Sequence, residues 1–341
     1  MIVRSKSPLR LGMAGGGTDL SPYCDIYGGN VLNATIDMYA YCTIETTETN
    51  EVLFDAQDLN QRFSCEACAE IPLRDELILH KGAYNRIVKD FNNGQPLPIK
   101  VTTYCDAPAG SGLGSSSTII VTILSAYQRL LNIPLGDYDL AHLAYEIERF
   151  DCGLSGGKQD SYATTFGGFN FMEFYEKGRV VVNPLRISNH ITNELESQLL
   201  LYYTGVSRSS ARIIDDQVQT TEVGHDKSLE AMHRVKKLAF AMKELLLMSN
   251  IDGMSDLMKS AWEAKKSTST LISTPGIDDV EAKAISAGAK SIKISGAGGG
   301  GFALIFADPT DKVGIMRALE DSEGSFHRFS FTEQGTQSWT V

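Results

Sequence analysis

Three alternating glycines and three serines stand together in this chain. Gly110, Ser111, Gly112, Leu113 and Gly114 run into Ser115, Ser116 and Ser117, with Pro108 just ahead of them. They separate a strand-like run, Ile99 to Tyr104, from a strongly helical run, Thr118 to Leu131. A helix N-terminus carries unpaired N–H groups and the positive end of the dipole. Glycines leave the neighbouring backbone N–H groups uncovered, and serines add hydroxyl donors. The chemistry on offer is the cradling of phosphate. Two better-known phosphate loops are excluded. No Lys follows Gly114, as a Gly-x-x-x-x-Gly-Lys-[Ser/Thr] loop demands. Ser115 stands where a dinucleotide fingerprint needs its third Gly, and the chain beyond Leu131 reads as another helix rather than a second strand. A lone Gly/Ser turn ordinarily only caps a helix. The alternation ahead of three serines exceeds what capping requires and favours a nucleotide site.

Residues able to act on a bound phosphate lie elsewhere. Glu148 ends the next helical pattern, and Asp160 follows the Gly-rich connection from Asp151 to Gln159. Lys6 and Arg10 belong to Lys6-Ser7-Pro8-Leu9-Arg10-Leu11, which leads into Gly15-Gly16-Gly17-Thr18-Asp19-Leu20. A last loop, Ser295-Gly296-Ala297-Gly298-Gly299-Gly300-Gly301-Phe302, lies between two strand patterns. Taken singly, Glu148 reads as a solvated helix residue, Asp160 as an N-cap and Arg10 as a strand-surface charge. Taken in order, the blocks form a pattern. Pro-x-x-x-Gly-Leu-Gly-Ser-Ser before a helix resembles the second motif of the GHMP kinases, named for galactokinase, homoserine, mevalonate and phosphomevalonate kinases. The N-terminal and C-terminal blocks are similar to that family's other two motifs, and the three span nearly the whole chain.

The resemblance implies an α+β, two-domain GHMP kinase fold with the active site in the inter-domain cleft, ATP as donor and Mg²⁺ as its ion. It gives Asp160 the catalytic carboxylate role, and Glu148 with Ser116 the metal. Arg10 or Lys6 would offset the charge on Asp160; aligning Pro8-Leu9-Arg10 with the sugar kinases' Pro-Gly-Arg favours Arg10. These roles suit phosphoryl transfer, where catalysis is mainly alignment and charge stabilisation. A hard cation takes oxygen donors, and a carboxylate can orient the acceptor hydroxyl and take its proton. The segment from Ser155 to Asp160 is longer than the family's Ser-Gly-x-Asp, which leaves the Lys158 position less defined than Asp160.

Asp19 aligns with an Asp that holds sugar hydroxyls, so Gly16, Gly17, Thr18 and Asp19 are candidate substrate residues. Gly16-Gly17 replaces the Glu-His of galactokinase, which disfavours galactose. Gly-Gly-Gly-Thr-Asp-Leu is similar to bacterial kinases that act on D-glycero-D-manno-heptose 7-phosphate, making the 1,7-bisphosphate for nucleotide-activated heptose. Fucose kinases carry a related Gly-Gly-x-Thr-Asp. A sugar that already bears phosphate needs a second anion site, for which Lys158, Arg208 and Arg212 are candidates. Gly298 and Gly299 belong to a loop expected to approach the phosphate loop or the substrate. A free-sugar kinase, such as one for L-fucose, and a non-catalytic sugar and ATP sensor stay open.

Bulk properties set the frame. A chain of 341 residues can bury a sizeable core, and the boundary is expected near Pro184, giving domains 1–184 and 185–341. A net charge of −11 argues against nucleic acid as a partner. No apolar run approaches the roughly 18 residues of a membrane span. The six Cys are scattered, as in a reduced cytoplasmic protein, and Cys65-x-x-Cys68 lacks a second pair at zinc spacing. The resemblance makes ATP and a small sugar phosphate the expected partners; a homo-oligomer is left open. Strands are expected at Ile2-Val3, Leu9–Leu11, Val31-Leu32, Tyr39–Glu45 and Leu199–Tyr203. A hairpin is expected over Phe169–Phe174 and Arg179–Val182, and strands at Ser291–Ile294 and Phe302–Phe306. Helices are expected over His80–Phe91, Asp139–Arg149, His225–Asn250, Met254–Ser267 and Asp311–Glu320, with one more capped by Asp278 or Asp279.

Overall fold

A computed structural model describes residues 1–206, 211–223 and 226–341. Its first half runs β1 (Ile2–Ala14), α1 (Tyr23–Tyr27), β2 (Gly29–Thr46), β3 (Glu51–Ala56), β4 (Gln61–Glu66), α2 (Ile78–Phe91), β5 (Ile99–Cys105), α3 (Ser115–Leu131), α4 (Asp137–Glu146), α5 (Gln159–Phe166), β6 (Phe169–Phe174) and β7 (Val180–Pro184). The second half runs α6 (Asn189–Gln198), β8 (Leu199–Tyr203), α7 (Ala211–Val223), α8 (Asp226–Leu247), α9 (Ile251–Lys266), α10 (Pro275–Ser286), β9 (Ala289–Ile294), β10 (Phe302–Ala307), α11 (Lys312–Ala318), β11 (Ser325–His327) and β12 (Gln337–Thr340).

The strands form two sheets. The larger follows the order β12-β1-β2-β5-β3-β4, with β6 pairing β2 and β7 pairing β6; the smaller follows β11-β8-β10-β9. The last strand therefore returns to the first sheet, beside β1. The short strands expected near the N-terminus are two long ones. Pro8 lies inside β1, where the register against β2 shifts between Pro8 and Leu9. A residue without an N–H is tolerated at such an irregularity, so the strand continues through it. The expected helix 139–149 also divides: α4 ends at Glu146 and a π turn covers Ile147–Asp151. The cap of α10 is Thr274, whose hydroxyl accepts from the Ile277 N–H at 3.3 Å, and not Asp278 or Asp279. Pro275 follows it, where a missing N–H costs nothing.

α3 is apolar almost all round and lies on β1 and β2. Ile120, Val121, Ile123, Leu124 and Tyr127 are buried there. At about 1.5–3 kcal/mol for each large apolar side chain buried, this packing holds the N-terminus of α3, and the turn before it, at one place on the sheet. A second core joins the smaller sheet to α9 and α10 through Trp262, Ile277, Val280, Ile292 and Ile305. The two parts meet through hydrogen bonds to backbone carbonyls. Phe302 N–H donates to Ser111 O at 2.9 Å, and Lys293 of β9 donates to the carbonyls of Gly12 (2.5 Å) and Met13 (3.1 Å) on β1. Among the described residues, no helix is long and apolar enough to cross a membrane.

Candidate active site

The loop from β5 to α3 turns through three left-handed glycines, Gly110 (φ 72°), Gly112 (φ 81°) and Gly114 (φ 79°). Glycine alone adopts that region without steric cost. A cleft opens on this loop, between the two sheets. Its volume, about 320 Å³, falls within the roughly 300–1,000 Å³ of a pocket for a small ligand. Gly110, Gly112, Gly114 and Ser115 to Ser117 line it, so the N-terminus of α3 faces the cleft. The rest of the loop does other work. Pro108 is exposed and its carbonyl accepts from Ser111 N–H at 3.1 Å; Ser111 and Leu113 are buried beneath the loop. Beside Ser115 and Ser116, an apolar hollow walled by Leu59, Leu77, Leu79, Ile119 and Leu154 suits the face of a flat base.

Asp160, in the first turn of α5, reaches the same cleft. Arg10 Nε and Nη2 both lie 2.7 Å from Asp160 Oδ1, and Arg10 Nη1 donates to Gly112 O at 2.5 Å. The guanidinium is 3% exposed, so this fork ties strand β1, the phosphate loop and α5 into one rigid unit. Lys6 is not part of it. Four residues along a strand is about 13 Å, and the Lys6 ammonium lies 4.8 Å over the Tyr39 ring instead.

Glu148 sits in the π turn after α4, 2% exposed, and its Oε2 accepts from Ser117 Oγ at 2.5 Å. Arg149 Nη2 is 3.1 Å from the same oxygen. Burial raises the Glu148 carboxyl above its ordinary value, while Arg149 and Ser117 pull against that rise. Ser116, the serine singled out from sequence, is exposed at the cleft wall; Ser117 makes the bond to Glu148. No cluster of three His, Cys, Asp or Glu side chains able to hold a metal exists among the described residues. One carboxylate with two serine hydroxyls is nonetheless a donor set that fits Mg²⁺, which keeps several waters and shares substrate phosphates.

Asp19 is buried beside this group. Its Oδ1 accepts from Gly17 N–H (3.1 Å) and Gln159 Nε2 (3.2 Å), and its Oδ2 from Gln159 N–H (3.0 Å). Burial raises its carboxyl, the backbone bond from Gln159 opposes this, and the nearby Asp160 charge adds to it. Gly17 lines the cleft with it. Gly16 lies behind, a built Cβ standing 3.6 Å from Gln159 Nε2. Thr18 is turned away: its hydroxyl oxygen lies 2.8 Å from the Gly15 carbonyl and 2.9 Å from that of Asn30, so its one proton is shared between them, which holds the glycine turn against β2.

The candidates for a second anion site are not gathered here. Lys158 is buried, but its ammonium bonds Asp25 Oδ1 (3.0 Å), Cys24 Sγ (3.2 Å) and Ser21 Oγ (3.4 Å). Burial alone would depress it; Cys24 and Asp25 hold it above its usual value. It is the N-cap position of α5, and its side chain leaves on the face opposite Asp160. Arg212 is exposed on α7, and Arg208 lies outside the described residues. In the C-terminal loop, Gly296, Gly298 and Gly300 line the cleft, whereas Gly299 donates its N–H to Ile272 O at 2.8 Å.

Gln159, Arg149 and Lys265 of the cleft were not singled out from sequence. Gln159 orients Asp19, and Arg149 donates to the carbonyls of Leu154 (3.1 Å) and Ser155 (2.9 Å), which pins the Gly-rich connection. Lys265, 6% exposed, enters from α9 and donates to Gly296 O. A signal for Lys265 existed. Met254, Met258, Ala261, Trp262 and Lys265 share one helical stripe, and a lysine on an apolar stripe is out of place unless it has a task.

Comparison with known proteins sets this geometry in context. The sequence model of the GHMP kinases N terminal domain matches residues 78–168, and that of the GHMP kinases C terminal region matches residues 241–324. The chain is 46% identical over 339 residues to the D-glycero-alpha-D-manno-heptose 7-phosphate kinase of Campylobacter jejuni, covering 99% of each. The crystal structure of a D-glycero-D-manno-heptose 1-phosphate kinase from Bacteroides thetaiotaomicron superposes with a TM-score of 0.85 at 44% identity, over 99% of each chain. The L-fucokinase/L-fucose-1-P guanylyltransferase of Bacteroides fragilis is 26% identical over 370 residues, covering 98% of this chain and 38% of that protein.

Proposed function

Because the chain belongs to the GHMP kinase family, we propose that it moves the γ-phosphoryl group of ATP to the anomeric hydroxyl of D-glycero-D-manno-heptose 7-phosphate. The product would be the 1,7-bisphosphate used for nucleotide-activated heptose. The observation that carries the reading is the grouping of Asp160, Arg10 and Asp19 in one cleft on a phosphate loop. The 46% identity to a heptose 7-phosphate kinase supports the choice of sugar.

In the step, the acceptor oxygen bonds to the γ-phosphorus and the bond from that phosphorus to the ADP oxygen breaks. The acceptor proton passes to the Asp160 carboxylate, which Arg10 holds in register with Gly112 and Gly114. Asp19, already fixed by three N–H donors, accepts from sugar hydroxyls. The N-terminus of α3 receives the donor's phosphates. Glu148 with Ser116 and Ser117 would hold Mg²⁺, which when bound neutralises charge on the phosphates.

A second reading, a kinase for a free sugar such as L-fucose, is favoured by one observation. The Lys158 ammonium is bonded to Asp25 and leaves no lysine from that position for a substrate's own phosphate. The experiment is turnover of ATP with heptose 7-phosphate, L-fucose, galactose and mannose, with and without Mg²⁺, the product located by mass and phosphorus NMR. A Mg²⁺-dependent 1,7-bisphosphate supports the first reading. Turnover of L-fucose alone would replace it with the second, and binding of ATP and sugar without turnover would make the protein a sensor.

A further inference from the structure

We infer that Lys265 is a catalytic residue of this cleft, its ammonium contacting the oxygens of the phosphoryl group in transit. The inference rests on the kinase reading above. Lys265 lines the cleft with Arg10, Asp19, Asp160, Gly296 and Gly298. An ammonium has three donors, and among the described residues Nζ makes one hydrogen bond, to Gly296 O. Two donors of a nearly fully buried cation thus lack a protein acceptor, and leaving them unmet is costly. An anionic phosphoryl oxygen is the acceptor that answers this need best, since the bond is charge-assisted at both ends.

The other cations near the transfer point are already engaged. Arg10 is spent on Asp160 and Gly112 O, Lys293 on the carbonyls of Gly12 and Met13, and Arg149 on Glu148, Leu154 O and Ser155 O. The carbonyl that anchors Lys265 is itself well placed. A Cβ built on Gly296 would lie 2.7 Å from Gly112 Cα, so the loop holding Lys265 abuts the phosphate loop. On the other side, a Cβ built on Gly16 would stand 3.7 Å from Nζ, so the glycine turn that carries Asp19 closes directly on the ammonium.

The surroundings also make the charge titrate within reach of assay. Burial, then the Arg10 charge from β1, pushes the Lys265 ammonium down to about 8, against the pull of Asp19 and of Asp160 from α5. Lys293, facing it from β9, interacts with it as a like charge. The charge is present below pH about 8 and lost above it, so a reaction that needs it falls away on the alkaline side.

The test compares wild type, Lys265→Met and Lys265→Arg in the full chain, at pH 6.5 to 9.5. Lys265→Met should lower kcat about 10²–10³-fold, the range for one transition-state donor, with KM for ATP and sugar within about threefold, as expected when the contact is made only in the transition state. Lys265→Arg should recover at least about tenfold of that loss and move the alkaline limb of kcat/KM upward, because a guanidinium keeps its charge. Should Lys265→Met fail to fold or to bind ATP, the limb in Lys265→Arg decides. The assignment is overturned by Lys265→Met with kcat near wild type, by a rise in KM alone, or by an unmoved limb in Lys265→Arg. Wild type that turns over no sugar would sink the kinase reading and this assignment with it, an outcome separate from those three.

Discussion

Gly157→Ala is a one-methyl perturbation aimed at the sugar site. The added carbon would lie 2.6 Å from Asp19 Cγ and nearer still to Oδ2. Carbon atoms in contact sit about 3.5–4.0 Å apart, so the carboxylate has to retreat by about 1 Å. The retreat takes it from the Gln159 N–H at 3.0 Å and strains its bonds from Gly17 N–H and Gln159 Nε2. One hydrogen bond to a charged group contributes about 1.5–3 kcal/mol, and about 2 kcal/mol corresponds to roughly 30-fold. Misplacing a positioning group by about 1 Å costs on the order of 10²-fold. The expected outcome is a 30- to 100-fold fall, in order of magnitude, in kcat/KM for the sugar. KM for ATP should stay within about twofold, because the strike falls on Asp19 and not on the phosphate loop. Coupled ADP release with the sugar varied at saturating ATP measures this, and a melting curve checks that the variant folds. A Gly157→Ala enzyme with kcat/KM within threefold of wild type, as an order-of-magnitude bound, would refute the reasoning that Asp19 must stay where Gln159 holds it.

Asp160→Asn should lower turnover about 10²–10⁴-fold, the span of a general acid–base group, while fluorescent-nucleotide binding persists; near-normal turnover removes Asp160 from the role. Arg10→Lys should lower kcat at least about tenfold, since one ammonium cannot bridge Asp160 and Gly112 O as the planar fork does; a rate equal to wild type would show that charge alone suffices. Ser117→Ala removes the bond that favours ionised Glu148, so half-saturating Mg²⁺ should rise about three- to tenfold. Burial already raises the Glu148 carboxyl, and its charge is lost as pH falls, so the rise should steepen on the acid side; a flat Mg²⁺ requirement contradicts this. Lys158→Met should lower the melting temperature by a few degrees through the loss of its bonds to Asp25 and Cys24, with kcat/KM for the sugar within about threefold; a large rise in KM for a phosphorylated sugar alone would return Lys158 to substrate binding.

Local chemistry carried much of this protein in plain view. The phosphate loop, the strand before it and the helix after it could be read from Gly110, Gly112, Gly114 and the serines, because phosphate binding at a helix N-terminus is a contiguous device. The hairpin of β6 and β7 and the long helices of the second half follow from periodicity that each segment expresses by itself. Reading failed where neighbours in space overrule neighbours in sequence. Ile2-Val3 and Leu9–Leu11 read as two short strands and are one, continuous through Pro8, because the register against β2 shifts beside it. Lys6 stood as the less favoured alternative to Arg10, and Lys158 as a candidate for a second anion site. Yet Lys6 is too far along its strand, and Lys158 leaves α5 on the side where Asp25 and Cys24 receive it.

The chain by itself determined the kind of chemistry, since residue types and short spacings decide which groups can cradle phosphate, accept a proton or bind a hard cation. Tertiary structure alone decided which of those groups share a cleft. Arg10 is bonded to Gly112 and Asp160 across separations of 102 and 150 residues, and Lys265 reaches them from a helix in the second half. Such meetings depend on how two cores pack loop against loop, and the direction of a side chain on a buried face is set by that packing rather than by any residue beside it in the chain.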